Sequence, residues 1–314
     1  MRRSLPIKLA QAIPVILLVS VLAFLLMSLI PGDPAVVIAG DQASPEAVQA
    51  VRERLGLNRP FIERLWLWMS QLARGDFGSS LMLNQTVISA LFERLPVTLS
   101  LTLLSIAITL PIGIFVGVIA ACCRGRWIDT AMMSVALIGV SVPAFWMAVL
   151  ATLVFSVGLG WLPTGGYTPL SSGIWGWFRS LIMPASILAL FQIGFLARMT
   201  RSAMLDVLMQ DYVRTARAKG LPEPMLVLQH AFPNALLPVI TAIGILVSAT
   251  LGGSVVIEQV FGLPGVGRLI VQAILSRDYP LVQGVMLIYG FAFVLINLMV
   301  DLTYRIADPR VRND

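Results

Sequence analysis

Long stretches free of Asp, Glu, Lys, Arg and His recur along the chain. They fall at about residues 9–30, 97–121, 131–157, 181–197, 235–257 and 281–300. Each reaches or approaches the roughly 20 apolar residues that a helix needs to cross a bilayer core. The pattern predicts an all-α integral membrane protein with six transmembrane helices. The first stretch follows Arg2, Arg3 and Lys8, as a secretory signal would. Its apolar run is longer than the about 7–15 residues of a signal core, and it ends in Pro31-Gly32-Asp33-Pro34 rather than a small-x-small cleavage site. A retained helix is expected.

Six spans place both termini on one side. Arg2, Arg3 and Lys8, then Arg124 and Arg126, then Arg198, Arg201, Arg214, Arg217 and Lys219, then Arg305, Arg310 and Arg312 all fall on that side. The two short loops opposite hold only Arg179, Arg268 and Arg277. Cationic loops stay in the cytoplasm, so both termini are predicted to be cytoplasmic. Residues 1–8 then form a cytoplasmic N-terminus, 9–310 the six-span domain, 31–94 an extracytoplasmic cap, 198–230 a cytoplasmic loop and 311–314 a short tail.

Within the cap, Ser44-Pro45-Glu46 has the cap residue, N1 proline and acidic first turn that open a helix, and Gly56 is placed to close it. Residues 60–73 predict a second, amphipathic helix with Leu65, Trp66 and Met69 on one side. Residues 261–278 begin with glycine and proline and then turn amphipathic through Leu269, Ile270, Ala273 and Ile274. That segment is expected to dip into the mouth of a pathway or lie on the membrane interface.

Composition agrees with a membrane protein. Of 314 residues, 58% are hydrophobic and 12% charged, against roughly 25% charged in soluble domains. The net charge of +6 sits in loops between apolar runs, so it suits a lipid surface better than nucleic acid. Cys122 and Cys123 are adjacent, which disfavours an ordinary disulfide, and with one histidine in the chain they form no zinc set.

The chemistry that would drive a gradient-coupled carrier or a membrane enzyme is sparse. The span centres lack ionisable groups of the kind that proton relays use. Gln192 and Asn297 are the notable polar residues there, and both read as hydrogen-bond glue between helices. Gly113 and Gly117 form a small-x-x-x-small pair suited to close helix contact, within the chain or with another subunit. No G-x-S-x-G or H-E-x-x-H run exists. A P-loop needs Gly directly before Lys, but Lys8 follows Ile7 and Lys219 follows Ala218. ATP, if it powers this protein, must be hydrolysed by a partner.

The loop after the fourth span reads from Asp211 and Tyr212 through Arg214, Thr215, Ala216, Arg217, Ala218, Lys219 and Gly220 to Pro222. Asp211 can cap a helix beginning at Tyr212. Gly220 fits the residue just past a helix end, Pro222 prevents continuation, and Arg217 and Lys219 lie where the helix dipole favours cations. A helix of about two turns results, marginal on its own, with Ala216 and Ala218 small enough to let a partner's groove approach.

This stretch, followed by His230-Ala231-Phe232-Pro233-Asn234-Ala235 and Pro238, resembles the EAA loop of bacterial and archaeal ABC permeases. It is most similar to the dipeptide/oligopeptide/nickel group, as the first permease of a heterodimeric pair. The likeness runs through nearly the whole chain: Pro31-Gly32-Asp33-Pro34, Leu55-Gly56-Leu57-Asn58-Arg59-Pro60, Gly75-Asp76-Phe77-Gly78, Glu258 through Arg268, Arg277-Asp278-Tyr279-Pro280 and Asp308-Pro309-Arg310. Arg214 stands where the wider consensus has Glu. Pro233 stands where the group often has Arg, and is expected to end or kink the helix entering span five.

The resemblance implies a type I ABC importer permease architecture in the bacterial or archaeal cytoplasmic (inner) membrane. It implies a second homologous permease, two cytoplasmic ATPase subunits that bind ATP and Mg, and an extracytoplasmic solute-binding protein. Asp211 to Gly220 would form the ATPase-coupling segment, and this chain would bind no cofactor or metal. Small peptides are the first expected solute, with nickel chelates, glutathione or another small solute as alternatives. Ser248, Thr250, Gly252 and Gly253, near the outer end of span five, are the candidate pathway lining.

Overall fold

The computed structural model describes residues 4–29, 33–39, 43–54 and 56–307. The motif residues Pro31, Gly32, Leu55 and Asp308-Pro309-Arg310, and the tail 311–314, lie outside them. The described residues are helical throughout, apart from the loops and an isolated bridge between Ser79 and Thr86. The helices are α1 (Ser4–Leu29), α2 (Pro34–Ala39), α3 (Pro45–Arg54), α4 (Phe61–Ala73), α5 (Val87–Cys122), α6 (Trp127–Ser141), α7 (Ala144–Ala151), α8 (Ile174–Leu208), α9 (Asp211–Ala218), α10 (Glu223–Met225), α11 (Phe232–Val260), α12 (Val266–Leu275) and α13 (Tyr279–Ala307).

Among the described residues, four stretches are long and apolar enough to cross a membrane: Val87–Cys122, Ile174–Leu208, Glu223–Val260 and Tyr279–Val300. The segment expected as one span over 131–157 is instead two helices, α6 and α7, bent by 99°. Pro143 stands at the break with φ −58°. It has no N–H to continue the ladder of α6, so the chain turns there and restarts. α7 then runs into wide π turns over Thr152–Gly158. If that pair is a single broken span, the count is five. The first expected span is helical as α1, with an apolar stretch Ile13–Leu26 among the described side chains.

The chain divides into two compact units. One comprises the chain up to Pro96 together with Gly265–Leu295, and the other comprises Val97–Pro264 with the chain from Ile296 on.

In the first unit, Val87, Ala90 and Leu91 of α5 pack with Val266, Leu269 and Ala273 of α12 and Leu281, Val282 and Val285 of α13. From Gly265 on, the amphipathic segment therefore buries its apolar face inside this unit, while Ile274 stays exposed. Ser44 caps α3 as expected, its Oγ accepting from the Ala47 amide at 3.3 Å. On α4 the inward aromatic is not Trp66, which is 74% exposed, but Trp68. Its ring lies 5.6 Å from that of Phe24 in α1, and Phe61 meets Phe24 edge-on at 5.3 Å. Positions 65, 68, 69 and 72 share a helical stripe, and 66 lies one step of about 100° off it.

In the second unit α8 is the central helix. Leu181, Ala185, Leu188, Ala189, Leu196 and Ala197 are buried. Glycines bring its neighbours to backbone contact: a Cβ on Gly117 would stand 2.6 Å from the Ala197 carbonyl, and one on Gly194 only 2.3 Å from that of Ala136. The Gly113/Gly117 pair thus serves packing within the chain. Gln192 is 3% exposed and does act as glue, its Oε1 accepting from Thr109 Oγ1 at 3.0 Å. Pro233 does not end the helix entering span five, which runs on as one apolar stretch, Glu223–Val260. It stands just after the π turns over Leu226–Ala231 that join α10 to α11, where the helix changes its hydrogen-bond register.

Candidate functional site

Sequence reasoning singles out α9, and the structure shows how it is held. It begins one residue before the expected start, at Asp211, with extended Gln210 as the cap and no side-chain cap bond. Asp211 is therefore a first-turn acid, favourable beside the positive end of the helix dipole, and not the cap. At the other end Gly220 has φ +84°. Its amide donates to Arg217 O at 3.0 Å and the Leu221 amide to Ala216 O at 3.4 Å. These are the two bonds of a Schellman closure, which needs a left-handed residue and so favours glycine.

The helix does not stand free. Val213 and Ala216 are buried against Leu226, with Val207 and Leu208 of α8 packed beside them. Ala216 therefore faces its own chain and offers no room to a partner. The small exposed residue is Ala218, on the open side with Tyr212, Arg214, Thr215, Arg217 and Lys219. Arg217 forks onto Glu223, Nε to Oε1 at 2.5 Å and Nη2 to Oε2 at 3.2 Å. That hydrogen-bonded carboxylate holds the Arg217 guanidinium even more firmly protonated than usual, with burial opposing weakly. Arg214 and Asp211 lie 3.7 Å apart, both well exposed, so the pair contributes little. Exposed apolar side chains adjoin in sequence: Met209 at 57%, Met225 at 44% and Leu228 at 64%.

The α8 base is itself clamped. Arg201 forks onto Asp129 of α6, Nε to Oδ1 at 2.6 Å and Nη2 to Oδ2 at 2.7 Å, and the Gly125 amide donates to the same carboxylate at 3.1 Å. Sequence reasoning misses both this pair and the Val213/Leu226 anchor. The i, i+3 spacing of Val213 and Ala216 carries the signal for the anchor, and nothing local pairs residues 129 and 201.

The four candidate lining residues do not share a surface. The Thr250 side chain is 2% exposed and donates to Leu246 O at 2.6 Å. A Cβ on Gly253 would meet Leu188 Cδ1 at 3.3 Å. Gly252 opens outward with nothing within 4 Å, and the buried Ser248 hydroxyl has no partner among the described residues.

A second cluster, in the first unit, appears in the sequence only as separate motifs. Asp278, fully buried, ends Arg277-Asp278 and caps α13. Its Oδ2 accepts from Ser80 Oγ at 2.5 Å and from the amides of Leu81 at 3.0 Å and Met82 at 3.2 Å, and Oδ1 accepts from the Leu281 amide at 3.3 Å. The turn after Gly75-Asp76-Phe77-Gly78 is thereby locked onto the start of α13.

The family described as "Binding-protein-dependent transport system inner membrane component" matches residues 113–313, and its N-terminal companion matches residues 1–102. The chain belongs to this family of transport permeases. The permease is 60% identical over 307 residues to a Brucella abortus (strain 2308) protein named as a peptide transport system permease, covering 98% of each chain. It is 41% identical over 305 residues to the glutathione transport system permease protein GsiC of Escherichia coli (strain K12), covering 97% of each. In fold it is similar to a chain of the inward-facing MetNI methionine ABC transporter, with a TM-score of 0.59 at 21% identity, covering 70% of the permease and 97% of that chain. It is an integral membrane permease subunit and not an enzyme.

Proposed function

We propose that this permease is one of two homologous membrane subunits of an ATP-driven importer of the type I architecture. An extracytoplasmic receptor delivers a small peptide or a glutathione-like solute. Two ATPase subunits, which bind ATP and Mg, dock on the cytoplasmic side. The observation that carries this reading is α9: a two-turn helix, anchored on one face by Val213 and Ala216 and closed at Gly220, with its other face unpacked. The names of the 60% and 41% identical relatives support the peptide and glutathione classes.

The bent α6–α7 pair and α1 complete six spans in this reading. The arginine distribution puts both termini, and α9, in the cytoplasm of a bacterial or archaeal inner membrane. Within α11 the passage is lined by the Ser248/Gly252 side, because Thr250 and Gly253 are committed to packing. The spans carry no fixed central charge, so the passage is wide and weakly binding, and the receptor selects.

The test is uptake into vesicles holding the reconstituted assembly. The reading expects accumulation that requires both ATP inside and receptor outside. Uptake driven by a proton gradient without ATP would contradict it.

A further inference from the structure

We infer that the first unit carries a binding site for a small zwitterion of short-peptide size, in a cavity of about 460 Å³. The inference rests on the importer reading for the identity of the solute. The volume lies within the range of small-molecule sites, roughly 300–1,000 Å³. Phe24, Trp68 and Tyr279 give it an aromatic wall.

Part of its polar lining is unspent. Gln283 lines the cavity, is 7% exposed and makes no side-chain hydrogen bond among the described residues. Its amide is open to the cavity and free to donate to a ligand there. Arg64 lies 5.7 Å over the Phe24 ring and has no carboxylate partner among the described residues. Arg59, by contrast, is tied to Glu63 at 3.0 Å. A guanidinium and an amide that both donate suit an oxyanion. The Glu53 carboxylate, which accepts from Gln49 Nε2 at 3.1 Å, also lines the cavity, and it would meet an ammonium.

A short peptide carries both charges at that scale, and so does the headgroup of an ethanolamine phospholipid. We assign the peptide, because most of the lining belongs to α4 and to the Glu53–Arg59 connection rather than to apolar spans. Here the cavity would take the solute outside the passage, after release by the receptor.

The probe is alanylalanine, read by saturation-transfer NMR on the purified assembly without receptor, in nanodiscs free of ethanolamine lipid. Binding is expected in the wild type, at least tenfold weaker in Arg64→Gln and in Gln283→Leu, and partly restored in Arg64→Lys. An unchanged melting temperature shows that the variants are folded. Equal binding in wild type and folded variants, or none in the wild type, overturns the site. Native mass spectrometry on assembly taken directly from the membrane provides the second arm. An ethanolamine lipid retained by the wild type, lost in Arg64→Gln and not displaced by alanylalanine, overturns the peptide assignment. Failure of the importer reading would show separately, as absent ATP-driven uptake with alanylalanine binding intact.

Discussion

Replacing Gly220 by valine should uncouple ATP hydrolysis from transport without removing the protein from the membrane. The residue sits at φ +84°, and a Cβ added there would meet nothing within 4 Å, so the cost is conformational and not steric crowding. A left-handed backbone costs an L-residue about 1–2 kcal/mol, and a β-branched side chain is among the worst there. An eight-residue helix is marginal alone, and its buried anchor is no more than Val213 and Ala216. A loss of about 1–2 kcal/mol therefore shifts its closed end about 5–30-fold toward the frayed form. Asparagine tolerates this backbone better, so the expected order of coupling loss is Val, then Ala, then Asn. The assay is receptor- and solute-stimulated ATP hydrolysis by the reconstituted assembly, with membrane insertion measured in parallel. Gly125→Val is the control: it has φ +75°, equally open space, and lies in another loop assigned to the same side. Normal stimulation in Gly220→Val, or equal loss in Gly125→Val, would refute the argument.

Arg201→Ala strands a carboxylate that is 8% exposed. It should destabilise by about 3 kcal/mol, the low end for a broken buried pair because Arg201 is partly exposed, and thermal unfolding in detergent will show it. The exchanged pair, Asp129→Arg with Arg201→Asp, should recover part of the loss. Asp278→Ala leaves the Ser80 hydroxyl and the Leu81 and Met82 amides without their acceptor, at about 1–3 kcal/mol for each group that becomes buried and unsatisfied. Protease cleavage near Met82-Leu83 should rise, and Asp278→Asn, which keeps one acceptor, should be milder; no difference between the two would argue against the lock. Burial works to raise the Asp33 carboxyl, but the Arg52 guanidinium and the Ala35 amide outweigh it and hold it below its ordinary 3.8. The tie is therefore present above that value and is lost as pH falls through the lower folded one. Hydrogen exchange at Ala35, corrected for intrinsic rate, should hold steady from neutral pH to about 4 and rise below it. A rise between pH 7 and 5 would contradict the assignment.

The four long apolar helices and the closing end of α9 are legible in the sequence because each has a local cause: an uncharged run of bilayer length, a glycine at a left-handed close, a proline after it. The 99° break at Pro143 is half legible. Proline forbids continuation, but whether a span kinks mildly or restarts depends on what its two halves pack against. Facing within a short helix is harder. Ala216 and Ala218 look equivalent as small residues, yet Val213 and Leu226 decide that the first turns inward. Trp66 and Trp68 divide in the same way, because Phe24, far off in sequence, chooses the inward ring. The Asp129–Arg201 fork and the Asp278 lock join residues 72 and 198 positions apart, a separation that no local pattern encodes.

The central claim is that the open face of α9 is the ATPase contact, and site-directed crosslinking tests it most directly. Cys122 and Cys123 are both free, one of them exposed, so they are first replaced by serine. Single cysteines are then placed at Thr215, Ala216 and Ala218, and the assembly is treated with a short bifunctional thiol reagent against cysteines introduced in the ATPase. The account predicts crosslinks from Thr215→Cys and Ala218→Cys, and little from Ala216→Cys, which faces Val213 and Leu226. Crosslinks from Ala216→Cys alone, or none from the open face in an assembly that still hydrolyses ATP, would contradict it.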